Sequence, residues 1–421
     1  MKILIVSQYF WPETFRINEV AESLREAGCE VSVLTGQPNY PDGKVFPGFR
    51  AWSTGGAERN GIRIHRVPLA PRGRSGALRL VANYLSFIVS ASLLGPWLLR
   101  GQRFDAVFVY GVSPILQVIP ALAVRRFTGG ALVTWVQDLW PQSLEVTGFV
   151  RNPRALAIVD SVVRWLYRHN DLLLVQSRGF VPLVAAMSEC TPVEYHPNPG
   201  ELAFSEEPTT APPALTLAPG FNLVFAGNMG TVQALDTILE AAHLLRDEPS
   251  INFVLVGSGS RDEWLRSELQ RLRLVNVQLP GRFSPAAMPA ILAQASALLV
   301  SLVRDPVLSQ TIPSKVQAYL ASGRPIIASL DGEGARVVQE AGAGVTCPAG
   351  DSAALADAIR SLQRRPMHER EQMGVAGRAY YSDHFEPRLL AERLAQRLAV
   401  LNAGRNGGDK KQTPVMGSDH G

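Results

Sequence analysis

NLVFAGNMGTVQALDTILEAA, residues 222–242, passes from a short run rich in Val, Leu and Phe, through two glycines, into helical spacing. Asn222–Ala226 reads as a buried strand and Ala234–Arg246 as a helix. A strand, a glycine turn and a helix in that order form the building unit of a doubly wound α/β sheet. The turn Gly227-Asn228-Met229-Gly230 has two readings. It is an ordinary strand-to-helix connection, or an anion site, where free N–H groups and the positive helix end attract negative charge. Glycine in such a turn lets a phosphate approach the backbone closely.

The same alternation continues downstream. Strands are expected at Asn252–Val256, Val275–Leu279, Ala297–Leu302, Pro325–Ala328 and Val345–Cys347, separated by helical stretches such as Glu263–Leu272 and Ser314–Ser322. Upstream, the proline-rich segment Asn198–Gly220 has almost no periodicity and reads as a linker. Before it, apolar runs at Ile3–Val6, Glu30–Leu34, Ile62–Val67, Ala106–Tyr110, Ala131–Val136 and Leu172–Val175 alternate with helices. Runs without polar alternation suit parallel strands covered on both faces. The expected organisation is α/β, with two doubly wound Rossmann-like domains facing across a cleft. Residues 1–197 form the first, 198–220 the linker and 221–382 the second. A helix at 383–401 is expected to pack back toward the first domain, and 402–421 to be a disordered tail.

The 421 residues carry a net charge of +4, too little for a nucleic-acid footprint. Cys29, Cys190 and Cys347 lie far apart without a CxxC pair, which suits buried thiols in a reducing compartment. MKILIVSQYF stops being apolar at Gln8 and lacks a small-residue cleavage site, so it is expected to be a first strand of a cytoplasmic protein. Leu80–Leu99 contains no charge and lies between Arg79 and Arg100. It reads as a buried helix, as a helix with one face in a membrane surface, or as a span. The second reading makes the protein peripheral on the inner face of the cell membrane, with Phe87 and Leu94 as candidate lipid-facing positions.

Several residues could carry chemistry. Lys315 follows Ser314 in the first turn of its helix, where an ammonium opposes the helix dipole unless an anion is near; a solvated surface lysine is the alternative. Gly257 and Gly259 follow another strand, but Asp262 occupies the place of the third glycine in a dinucleotide fingerprint. Asp138, in Gln137-Asp138-Leu139-Trp140, ends a strand and is either a base or sugar ligand, or a helix cap. Trp11, Glu13 and Arg16 follow the first strand. GxxxxGK[ST], GxSxG, HExxH and DxD motifs are absent, and no metal site is expected.

Taken in order, MKILIVSQYFWPETFRINEVAESLREAG, VQDLWPQSLEVTG, HPNPG, FAGNMGTVQALDTILEAA, VGSGS, IPSKVQAYLASGRPIIAS and GEGARVVQEAGAGVTCPAGD resemble the landmarks of retaining family 4 glycosyltransferases with the GT-B fold. The chain is most similar to a bacterial surface-polysaccharide subgroup, often labelled L-fucosamine transferases. The resemblance implies a nucleotide sugar, UDP-linked, held by the second domain with no cofactor. Gly227, Asn228, Gly230, Ser314 and Lys315 would hold the diphosphate, Gly257 and Gly259 would approach the base, and Glu333 and Gly334 would line the sugar end. Trp11, Glu13 and Arg16 would meet the acceptor, a polyprenyl-diphosphate-linked saccharide of capsule, O-antigen or exopolysaccharide assembly. Lys315, Asp138 and Glu333 are the candidate catalytic residues. The family's E-x7-E carboxylates fall on Gln310 and Ala318, and its basic pair after the phosphate loop is missing. A nucleotide-sugar epimerase of the same fold and a catalytically weak, membrane-docked assembly subunit are the alternatives.

Overall fold

The computed structural model describes residues 1–73, 76–146, 152–201 and 214–408. The chain divides into two compact units. The first contains Met1–Gln176, Val181–His196 and the chain from Arg388 onward. Its strands are β1 (Lys2–Val6), β2 (Glu30–Gly36), β3 (Gly55–Arg59), β4 (Ile62–Val67), β5 (Ala106–Gly111), β6 (Ala131–Val136), β7 (Leu172–Val175) and β8 (Val193–Tyr195). They form one sheet in the order β3-β4-β2-β1-β5-β6-β7-β8. Only β3 on the edge is antiparallel to its neighbour. It went unread because GGAER has only Ala57 as an apolar residue to mark it; its ladder with β4 holds it.

The helices of this unit are α1 (Arg16–Glu26), α2 (Ala77–Leu98), α3 (Val118–Thr128), α4 (Gln142–Val146), α5 (Pro153–Arg168) and α6 (Phe180–Ser188), the last divided between the units. Right-handed crossovers put α2, α3, α5 and α6 on one face of the sheet and α1 on the other. Among the described residues α2 alone is long and apolar enough to cross a membrane. It starts at Ala77 rather than Leu80, and it joins β4 to β5 within one sheet. Phe87, read as a candidate lipid-facing residue, is buried. Cys29 and Cys347 are buried as expected, whereas Cys190 is exposed.

The second unit spans Pro197–Pro387 with Ser177–Phe180. Strands β9 (Phe221–Asn228), β10 (Ile251–Ser258), β11 (Val277–Gly281), β12 (Ala297–Ser301), β13 (Ile326–Ser329) and β14 (Gly344–Cys347) form a second parallel sheet, ordered β11-β10-β9-β12-β13-β14. Its helices are α7 (Leu235–Leu244), α8 (Asp262–Leu272), α9 (Met288–Leu292), α10 (Ser314–Ser322), α11 (Glu333–Glu340), α12 (Ser352–Arg364) and α13 (Met367–His384).

The final helix, α14 (Pro387–Gly408), returns to the first unit, where Ala391, Leu394 and Leu398 join Ile3, Ile5 and Leu24 in one buried cluster. It starts later than expected at 383, because α13 runs to His384, and it continues into the expected tail. Asn402 donates to Asp105 at 3.1 Å, and Arg405 donates to the Gly130 carbonyl at 2.7 Å and to Asp171 at 2.8 Å, which holds the last turns in place. The expected linker at 202–213 and the tail at 409–421 lie outside the described residues.

Candidate functional site

In the second unit β9 and β10 run in register, so that Gly227 pairs with Gly257. Both adopt left-handed backbone angles, φ +137° and +142°. The strands are packed so closely here that a Cβ on Gly257 would lie 1.9 Å from the Gly227 carbonyl oxygen. A Cβ on Gly227 would lie 2.6 Å from Cε of Lys315. The bare backbone at this point opens into a cavity of about 630 Å³. Gly227, Asn228, Gly257, Gly259, Ser314 and Lys315 all line it. Gly230 is not among the lining residues; it sits behind Asn228, whose side-chain nitrogen a Cβ there would meet at 2.8 Å.

Lys315 reaches this cavity from the first turn of α10, where the N–H groups of Ser314 and Lys315 have no intrahelical acceptor. Its ammonium lies 3.6 Å above the Phe225 ring and donates to Oε1 of Gln233. Lys315 is half-buried, unlike a solvated surface lysine. Desolvation lowers its pKa to about 7. The site therefore holds a half-buried amine beside the first-turn N–H groups of α10, in a cavity whose lining includes one carboxylate, Glu201. A diphosphate has the complementary chemistry. Arg282 lines the same cavity and provides the second cation that the sequence did not reveal, because it stands far from the expected basic pair. Phe283, Met288 and Leu292 form an apolar wall on which a flat base could rest.

Other expected members of the site do not line this cavity. Glu333 and Gly334 are not among the residues lining the cavity. Glu333 opens α11 and accepts from Arg336 one turn on, at 3.0 and 2.8 Å, so its carboxylate is engaged within its own helix. Gly334 is packed against Leu330 and Pro313, where a Cβ would meet each at 2.9 Å. No α-helix begins at Gly230: Thr231–Gln233 form a 3₁₀ turn, Ala234 turns left-handed at φ +48°, and α7 starts only at Leu235. Gln310 does not line the cavity, whereas Ala318 does. Ala318→Glu is accordingly expected to fold and to tighten UDP binding about tenfold if the new carboxylate reaches a sugar hydroxyl. Calorimetry against wild type checks this, and weaker binding in a folded variant would show that the position does not face the nucleoside.

In the first unit Asp138 accepts from the backbone N–H and hydroxyl of Ser113 at 3.0 and 2.8 Å. It ties the loop after β5 to the loop after β6 and does not cap its own turn. Glu13 is 2% exposed and accepts from the N–H groups of Asn39 and Tyr40 at 2.8 and 2.7 Å. Burial pushes its carboxyl up to about 7. It braces the loop at 39–40 and is not presented to an acceptor. The Trp11 ring lies under the Arg59 guanidinium, 4.8 Å from its centre, and its carbonyl accepts from Arg66. Arg16 begins α1.

Residues 14–199 match the family model described as glycosyl transferase 4-like domain, and residues 220–365 match the one described as glycosyl transferases group 1. A putative colanic acid biosynthesis glycosyl transferase, WcaI of Escherichia coli K12, is 27% identical over 338 residues, covering 77% of this chain and 82% of that protein. Among solved structures, sucrose-phosphate synthase from Thermosynechococcus elongatus superposes with a TM-score of 0.71 at 16% identity, covering 96% of this chain and 99% of the other. HepE from Anabaena, solved in complex with UDP and glucose, superposes with a TM-score of 0.65 at 15% identity, covering 95% and 99%.

Proposed function

We propose that the chain, which matches glycosyl transferase models over residues 14–199 and 220–365 and has the GT-B fold, is a family 4 glycosyltransferase that moves a sugar from a UDP-linked donor to a lipid-linked saccharide, with retention, during assembly of a bacterial surface polysaccharide. The observation that carries the donor side is the half-buried Lys315 amine beside the Gly227–Gly257 backbone, in the cavity that Arg282 also lines. The likeness to WcaI supports the polysaccharide setting, and an L-fucosamine-type sugar is the donor this reading tests first. In the transfer, the bond between the anomeric carbon and the phosphate oxygen breaks and UDP leaves with growing negative charge. Lys315, Arg282 and the first-turn N–H groups of α10 offset that charge, an electrostatic contribution that usually dominates such steps. The acceptor hydroxyl adds to the same face, and its proton passes to a leaving phosphate oxygen. The reading needs no cofactor and routes no step through a metal.

Nucleotide release from a panel of donors, with and without a lipid-linked acceptor, tests this. Acceptor-dependent release of UDP is expected. Acceptor-independent conversion of the donor sugar would instead indicate an epimerase. Donor binding without release would favour a non-catalytic assembly role, for which Ala318 in place of a family carboxylate is the specific argument.

A proton should accompany binding. In the free protein Lys315 is largely neutral above its pKa of about 7. A diphosphate favours the ammonium and raises that pKa. UDP binding at about pH 8 should therefore take up nearly one proton, and affinity should fall by up to about tenfold per pH unit as pH rises above 7. Calorimetry in two buffers of different ionisation enthalpy measures the uptake, and Lys315→Met should abolish it.

A further inference from the structure

Helix α2 meets its sheet along one side only. Asn83, Phe87, Ile88, Ala91 and Gly95 are buried, and Asn83 is fixed by bonds of 2.7 Å to Gln8 and to the Ala70 carbonyl. Leu78, Val81, Leu85, Val89, Leu93 and Trp97 are exposed, Leu78 by 87% and Leu93 by 71%. These six recur at intervals of three or four, so they form one apolar stripe along the 22-residue helix. No charge interrupts the stripe between Arg79 and Arg100. The stripe is convex, which suits insertion among lipid chains better than capture of one extended chain.

Its surroundings identify the occupant. At the start of α2 a hollow of about 440 Å³ is lined by Gly43, Lys44, Gly73 and Arg79. At the other end the Arg100 guanidinium lies 5.6 Å from the centre of the Trp97 ring. From Arg59 to Phe104 the sequence contains eight arginines and no carboxylate; Arg66 is buried and Arg59 and Arg63 pair with Glu22 and Glu30, while Arg79 stands in the first turn of α2 and Arg100 just beyond its end. On the same sheet face, Ile158 and Trp165 of α5 add exposed apolar area, 66% and 48% exposed. A second copy placed on this face would bring Lys44, Arg79 and Arg100 toward like charges, whereas an anionic bilayer complements both the apolar stripe and these cations. The helix cannot span that bilayer, because the strands before and after it belong to one sheet.

We propose that this face docks on a bilayer containing anionic phospholipid, with the stripe of α2 lying in the interfacial plane and a lipid phosphate held between Lys44 and Arg79. The docking does not depend on which sugar is transferred. Flotation of the full chain with vesicles of phosphatidylcholine alone, and of phosphatidylcholine with phosphatidylglycerol, tests it. Wild type is expected to float with the mixed vesicles, and less so as salt is raised. Leu85→Asp/Leu93→Asp changes two exposed positions, should melt like wild type, and should lose at least about tenfold in binding. Lys44→Ala/Arg79→Ala should lose about thirtyfold on mixed vesicles, at about fivefold for each basic residue, with no change on phosphatidylcholine. UDP binding should be unchanged in both variants, which separates loss of docking from loss of fold. Equal flotation with both vesicle types, wild-type flotation by the stripe variant, or failure of wild type to float would overturn the proposal. So would a concentration-dependent dimer that Leu85→Asp/Leu93→Asp disrupts, since a second copy would then cover the face.

Discussion

Gly257→Ala is expected to destroy the proposed nucleotide site. The new methyl group would be forced to 1.9 Å from the Gly227 carbonyl oxygen, and the residue would have to keep φ at +142°. The obstacle is backbone in the middle of a parallel ladder, so no side-chain rotation relieves it. Backbone strain of about 1–3 kcal/mol and overpacking of similar size should together lower stability by about 2–6 kcal/mol. Any variant that still folds must part β9 from β10 at the cavity floor, and UDP affinity should fall at least about a hundredfold, the equivalent of two lost hydrogen bonds to a charged group. Denaturant unfolding and UDP calorimetry read the two effects. Gly55→Ala, on the exposed edge strand β3 with open space around the new Cβ, should leave both unchanged.

Lys315→Ala is expected to lower kcat on the order of 10²–10³, by the scale of removing one preorganised oxyanion donor, and to raise the donor KM less. Lys315 is already desolvated and lines the cavity, so in the proposed transfer its stabilisation would grow as charge builds on a leaving UDP. Lys315→Arg should recover little. The lysine stem passes so close to Gly227 that a single added Cβ would stand 2.6 Å from it, which leaves no room for a planar guanidinium. Stability should hold or rise slightly, because the half-buried cation opposes its own helix dipole. Steady-state kinetics with a thermal melt check both, and a normal kcat with normal UDP binding would remove Lys315 from the mechanism.

The features that were legible in the sequence are those that local pattern dictates. Strand β9, its glycines and helix α10 could be read because an apolar run, a turn and helical periodicity each leave a mark within a few residues. The unread parts depend on distant partners. Helix α13 carries Gly374 and Gly377, poor helix formers, yet Gly374 exists to let the helix approach α10: a Cβ there would lie 2.1 Å from the Gly323 carbonyl oxygen. Arg282 enters the site from the loop after β11, and Gln233 becomes the partner of Lys315 only when a 3₁₀ turn folds over it. Glu333, which its motif places at the sugar end, has a partner three residues later that the motif did not mark, the Arg336 guanidinium. Glu13 stands near the expected acceptor residues in sequence, and burial assigns it to bracing a loop.

The return of α14 to the first unit bears on the order of events during synthesis. Ala391, Leu394 and Leu398 complete a core begun by Ile3 and Ile5, so the unit that starts to emerge first cannot finish burying this cluster until the second unit has been made. Ordinarily the N-terminal domain folds first and then serves as a finished neighbour for the next. Here the second unit, contiguous but for four residues, can close while the first still waits with an apolar seam exposed. Translation therefore leaves the emerging protein dependent on protection of that seam, and a stall or premature stop late in the message would release a first unit with its hydrophobic seam uncovered.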